Sequence, residues 1–241
     1  MPNRCRFVLC LIWAMAVGAC SQTPDAPAVD PAAAAQAKEA SASKELALYE
    51  QMRTGGSPDV AASVGDEILK KYPGTAAADQ VQKTIGEVKE RAAQQAETRR
   101  LARLWSYASG AQTGGTQYTA AIESKMAPAP GIRARLVLRQ HPQWGQSVYL
   151  LLDKTSAFDC SKGCTTLAVA FDGAPAQRMK SLVPPTGEPA IFIEDDKGFI
   201  ARMQKAQTVS IDVSIKGVGA KTLLFEVGGY DATRLPGKSG K

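Results

Sequence analysis

This chain of 241 residues contains a single histidine, His141. It stands in the turn Gln140-His141-Pro142-Gln143-Trp144-Gly145 with no Ser or Cys nucleophile motif to serve as its partner. Turn hydrogen bonding or packing is therefore its expected role, and a histidine-based relay is not. Metal ligands are equally scarce. Two cysteines remain beyond residue 20, and with one histidine they are too few for a closed tetrahedral zinc shell. No apolar run approaches the roughly twenty residues that span a bilayer. Basic residues are not interleaved with aromatics, which removes the stacking platform that single-stranded nucleic acid requires. The charge bias is small: 29 Lys+Arg against 23 Asp+Glu. A balance of that size does not imply a nucleic-acid partner. Hydrophobic residues make up 44% of the chain, too many for general disorder.

What the chain does have begins at its N-terminus. Arg4 and Arg6 precede an apolar run from Phe7 to Val17, followed by small residues. That is the layout of a secretory signal. The ending Val17-Gly18-Ala19-Cys20 resembles a bacterial lipoprotein lipobox at every position: an aliphatic residue, two small residues, then cysteine. The resemblance implies that Cys20 is lipidated and becomes the first residue of the mature chain. Acyl chains contribute roughly 0.8 kcal/mol per buried methylene, so a multiply acylated cysteine is a durable membrane anchor. Ser21 stands where an Asp often signals inner-membrane retention, so the resemblance favours a periplasm-facing protein at the outer membrane, with the inner membrane as the other reading. Loss of Arg4 and Arg6 would leave 27 basic against 23 acidic residues, a net charge of +4.

Residues 1–19 thus read as a signal peptide and 20–43 as a lipidated cysteine with a flexible Ala/Pro/Ser linker. Such a linker has a root-mean-square reach of roughly 25 Å. Its Ala-rich part, 32–42, has the composition for partial helix. Residues 44–103 read as a helical segment. Leu46, Leu48, Tyr49 and Met52 form a first short helix ended by Gly55-Gly56. Ser57-Pro58 opens a second, with Val60, Val64 and Ile68 four apart, and Pro73-Gly74 stops it. Thr75 caps a third, on which Val81, Ile85, Val88 and Ala92 keep helical spacing. Its end, Glu87 to Arg103, is charged on all sides, as in a solvated or coiled-coil helix. The junction Ile68-Leu69-Lys70-Lys71-Tyr72-Pro73-Gly74-Thr75 resembles that of a tetratricopeptide-like hairpin. Gly65 departs from the pattern and no second copy follows. A helical spacer or packing element is the plainer expectation, and a protein-binding hairpin the other.

From Trp105 the hydrophobic period changes to two. Strands are expected at 117–124, 132–139, 146–153, 165–172, 178–183, 190–193, 208–216 and around Leu223 to Val227, with one short helix at 197–206. Arg133, Arg135, Val137 and Arg139 face away from Ile132, Ala134, Leu136 and Leu138. The fold class is α+β: an N-terminal helical segment, then a mainly antiparallel β-sandwich over 104–230, then a tail at 231–241. The pattern Leu136, Leu138, Arg139, His141, Pro142, Gly145, then Cys160, Cys164, then Val169, Phe171, Asp172 resembles a poorly characterised family of bacterial envelope β-domains. That resemblance implies an envelope location and carries no catalytic residues.

Three clusters are candidate sites. An extended Cys160-Ser161-Lys162-Gly163-Cys164 would hold its terminal α-carbons about 13 Å apart, whereas a disulfide needs roughly 4.4–6.8 Å. A hairpin loop with Gly163 left-handed would bring them together, giving a structural disulfide. A redox pair is the less expected reading, since such motifs place the cysteines two apart at a helix start. Arg133, Arg135 and Arg139, at spacing two, form either a solvated face or a contact for an anion, an anionic glycan or an acidic envelope protein. Glu194-Asp195-Asp196 lacks the further oxygens of a calcium loop and is expected to cap the following helix. The leading expectation is a non-enzymatic, lipid-anchored envelope protein presenting a binding or assembly module, without metal or cofactor. The alternative is an envelope hydrolase acting on cell-wall material through Asp and Glu, which a pair of buried carboxylates would support.

Overall fold

The computed structural model describes residues 30–161 and 163–236. The lipobox and Cys20 lie outside them.

Three helices come first: α1 (Pro31–Thr54), α2 (Pro58–Lys71) and α3 (Ala76–Leu104). Each start is encoded locally. Asp30 accepts a hydrogen bond from the Ala32 amide ahead of Pro31. Pro58 occupies the first turn of α2. Thr75 Oγ1 accepts from the Ala78 amide at 3.2 Å. α1 begins well before the expected position, so residues 31–43 of the stretch read as a flexible linker are helix. The reason is tertiary. Ala42 is fully buried against the other helices. Lys38 Nζ donates to the Pro73 carbonyl at 2.8 Å, and Glu39 accepts from the Ala76 amide at 3.1 Å. These contacts also place the starts of α1 and α3 at the same end of the unit.

Tyr49, Ile68, Val81, Ile85 and Val88 form the helical core. The Tyr49 hydroxyl lies 2.7 Å from Thr84 Oγ1. Gly65 explains its own departure from the hairpin pattern. A methyl group there would lie 2.6 Å from Ile85 Cδ1, 3.0 Å from Tyr49 Cε2 and 3.2 Å from Val81 Cγ1. It is the point of closest approach of α2 to both neighbours.

α3 passes into the sheet without a loop. The strands are β1 (Trp105–Gln112), β2 (Gly115–Glu123), β3 (Ala134–His141), β4 (Gly145–Leu152), β5 (Thr166–Phe171), β6 (Gln177–Leu182), β7 (Ala190–Ile193), β8 (Val209–Ile215) and β9 (Gly219–Phe225). β1 adds a strand ahead of the expected ones; its later residues are exposed and small, so they carry no apolar alternation. α4 (Asp196–Met203) lies between β7 and β8. All nine strands belong to one antiparallel sheet, ordered β1-β2-β3-β4-β7-β6-β5-β8-β9. The architecture is therefore α+β with a continuous open sheet.

The sheet wraps one core. Leu136, Leu138, Val148 and Leu150 from one part meet Val169, Ile211, Leu223 and Phe225 from the other, with Phe199 and Met203 of α4 among them. The period-two reading of β8 holds fully: Val209, Ile211, Val213 and Ile215 are all buried. Lys125 N–H donates to the Leu224 carbonyl at 2.7 Å, linking the loop after β2 to β9. Residues 231–236 are not a detached tail. The Asp231 amide donates to the Tyr107 hydroxyl at 2.7 Å, and Leu235 joins the core.

The helical unit meets the β unit through the last turns of α3. Arg100 is bonded to Glu97 and, at 2.8 Å, to Glu226, which Lys125 also approaches. Gly229 packs against the backbone of Leu101 and Ala102, where no side chain fits.

Candidate functional site

The outward face of β3, β4 and β7 gathers side chains that a soluble sheet usually hides. Val137, Tyr149, Phe192 and Leu182 are register partners on successive strands, with Ala121 opposite Val137 on β2. They form an apolar row across five strands. Leu182 is 46% exposed. Tyr149 and Phe192 stack with ring centroids 4.7 Å apart.

Arg139 sits beside this row. Its guanidinium lies 5.5 Å from the Trp144 and Tyr149 ring centroids and 5.8 Å from that of Phe192. Its Nε donates to Ser147 Oγ at 3.1 Å. Among the described residues, neither Arg139 nor Arg135 has a carboxylate within salt-bridge distance. Burial pushes the Tyr149 phenol above its ordinary value, against the opposing pull of Arg139 and Arg135. The phenol is thus near both cations. A cation over an aromatic face contributes about 0.5–2 kcal/mol, more as water is excluded. Ring contacts leave the guanidinium's charge uncompensated, so its remaining N–H donors suit an anion.

Trp144 completes the cluster and is 70% exposed. One side of the indole stacks on the His141 ring, with centroids 3.9 Å apart and planes 12° apart. The buried His141 is set by the turn itself: its Nδ1 accepts the Gln143 and Trp144 amides at 3.2 and 3.3 Å. Pro142 and the left-handed Gly145 (φ 75°) shape that turn. The histidine acts as a turn acceptor and a shelf for the indole.

The three arginines of the expected face have different partners. Arg133 precedes β3. It lies 3.7 Å from Glu123 and 3.5 Å from Asp153, and its amide donates to Asp153 Oδ2 at 2.8 Å. Arg135 and Arg139 lie within β3 itself. The aromatic surroundings of Arg139 are scattered over residues 144, 149 and 192. Spacing along the chain gives no hint of them.

Cys160 and Cys164 are joined by a disulfide with α-carbons 5.2 Å apart. Gly163 is left-handed (φ 85°) and its amide donates to the Cys160 carbonyl at 2.9 Å. The expected hairpin is corrected: the loop does not join two paired strands. It leads from Phe158, which bridges Ile215 of β8, into β5. A cleft of about 520 Å³ beside it carries both signs of charge, from Lys154, Asp159, Glu188 and Lys216.

Asp195 accepts from the Gly198 amide at 2.9 Å and caps α4, as its position suggested. Among the described residues, the buried polar side chains are Thr75, Gln140, His141 and Ser181, with no carboxylate. No group of three or more potential metal ligands occurs among the described residues. No described helix is long and apolar enough to cross a membrane.

No protein-family profile matches this chain, and none of the curated proteins compared matches it. Among solved structures, the crystal structure of invasion associated protein B from Bartonella henselae is similar at 15% identity, covering 54% of this chain and 87% of that one, with a TM-score of 0.38. A likeness at that level carries no argument about function.

Proposed function

We propose that this chain is a lipid-anchored, non-enzymatic envelope protein whose β unit presents a binding face held away from the membrane. The observation that carries this reading is the outward cluster of Arg139, Trp144, Tyr149 and Phe192, with a guanidinium among three rings and, among the described residues, no carboxylate within salt-bridge distance. Aromatic residues and arginine are the side chains that dominate contact energies at recognition surfaces.

The helices supply a spacer in this reading. An anchor at Cys20 would enter at the start of α1, which is the end where α3 also starts. α3 runs for 29 residues, about 44 Å at 1.5 Å per residue, and the β unit sits at its far end. An outer-membrane, periplasm-facing position follows from the lipobox and Ser21. The tetratricopeptide-like junction belongs to this spacer. We also read the curled sheet as sandwich-like, because a single core takes residues from both of its halves.

Two measurements test the proposal. A Cys20→Ala variant should lose incorporation of a fatty-acid probe, and equal labelling of both forms would end the anchor reading. A photo-crosslinking residue at Leu182, on the edge of the face, should give a discrete adduct in intact cells. The same residue at Val60, exposed on α2, should not.

A further inference from the structure

We infer that the face around Arg139 binds an acidic saccharide, with Trp144 stacking on a sugar ring and Arg139 holding its carboxylate or phosphate. This deepens the binding-module reading and rests on it. Three features of the face select the class of ligand.

The first is size. The apolar row crosses five strands, about 19 Å at 4.8 Å per strand, and its useful depth along the strands is about 14 Å, two residue pairs each way. The patch is therefore at most on the order of 300 Å², since Val137 within the row is itself buried. A stable protein partner covers roughly 800 Å² on each side. The patch suits a short segment better than a folded protein surface.

The second is position. β3, β4 and β7 each have a hydrogen-bonded neighbour on both sides. A peptide that recognises a sheet usually adds to an open edge through its main chain. Here the backbone is already paired, so only side chains can read the ligand. A ring-bearing molecule gains from the indole face without needing main-chain hydrogen bonds.

The third is charge and rigidity. Arg139 and Arg135 are the cations nearest the Tyr149 phenol, and Arg139 is fixed on one side by Ser147. The planar guanidinium matches carboxylate and phosphate oxygens in pairs. Trp144 is held by His141 before any ligand arrives, so little side-chain freedom is lost on binding. Trp144 remains 70% exposed beside Arg139.

The experiment uses the protein without its first nineteen residues and with Cys20→Ser, titrated by isothermal calorimetry. The probes are tetragalacturonate, glucose 6-phosphate, neutral maltotetraose and tetraglutamate. We expect saturable binding of tetragalacturonate or glucose 6-phosphate. Their relative affinity distinguishes carboxylate from phosphate as the charge that Arg139 holds. Maltotetraose and tetraglutamate should each bind at least about tenfold more weakly than the better acidic sugar. Trp144→Ala and Arg139→Lys should each weaken it about tenfold or more, with unchanged thermal unfolding. The lysine variant keeps the charge and removes the paired donors. Wild-type affinity in both variants overturns the inference, as does the absence of saturation with either acidic sugar. Tighter binding of tetraglutamate also overturns it, while leaving the binding face in place. A missing crosslink from position 182 would instead strike at the face itself, so the two failures are separable.

Discussion

Gly65 and Gly86 offer a matched test of how tightly the helical unit is packed. Both are helical glycines, and alanine is intrinsically better in a helix interior by about 0.8–1 kcal/mol. At Gly86 an added methyl meets nothing within 4 Å, so Gly86→Ala should stabilise by about 1 kcal/mol. At Gly65 the same methyl meets Ile85 Cδ1 at 2.6 Å, Tyr49 Cε2 at 3.0 Å and Val81 Cγ1 at 3.2 Å. The Ile85 methyl is the far end of a side chain and can turn away. The Tyr49 ring cannot, being fully buried and tied by its hydroxyl to Thr84. Overpacking of this kind costs about 1–3 kcal/mol. Taking about 2 kcal/mol for that cost and about 1 kcal/mol for the propensity gain, Gly65→Ala should destabilise by about 1 kcal/mol. The two variants should therefore differ by about 2 kcal/mol in urea unfolding followed by far-UV circular dichroism. If Gly65→Ala stabilises as much as Gly86→Ala, the three helices do not approach as described and the reasoning fails.

Reduction of the Cys160–Cys164 bond should destabilise the β unit by about 2 kcal/mol, since so short a loop removes little chain entropy. Near-UV circular dichroism should still show a folded protein, and loss of folding on reduction would contradict the chain-entropy argument. Asp172→Ala should cost about 2–3 kcal/mol, because Asp172 sits at φ 50° and its carboxylate accepts the Gln207 and Thr208 amides at 2.8 Å each. Asp172→Gly relieves the backbone angle alone and should recover only part of that loss in thermal melts. At the junction, hydrogen bonding to Arg100, and then to Lys125, holds the Glu226 carboxyl below its ordinary value. Its folded pKa is depressed, so its contribution is complete above the ordinary glutamate value of about 4.3 and fades as pH falls through the lower folded value. Arg100→Ala should accordingly lessen the loss of stability between neutral and acidic pH. An unchanged acid limb in unfolding curves would count against the ion pair.

Local chemistry decided much of this protein. The helix starts at Pro58 and Ala76 follow from a proline in the first turn and a threonine cap. The stops of α1 and α2 follow from Gly55 and from Pro73-Gly74, because these residues act on the backbone where they stand. Alternation in β8 was fully legible because a half-buried strand must place every second side chain in the core. The cysteine spacing forced a turn, so the disulfide could be read from chain geometry. The helix over 31–43 was less legible. Alanine-rich sequence is helical only when something holds it, and what holds it is Ala42 against residues far along the chain. Whether the strands form one sheet or two was likewise not encoded in any strand, since the order β4-β7-β6-β5 depends on which edges meet. The arginine face shows the division most sharply. Spacing put Arg133, Arg135 and Arg139 together, but their side-chain partners differ. Arg133 turns to Asp153, while Arg139 lies among rings from positions 144, 149 and 192. The sequence by itself determined which face of a strand such as β8 is buried, because that depends on a period of two. Only the tertiary structure decided which exposed side chains become neighbours, because cross-strand register is a property of paired strands and not of either one alone.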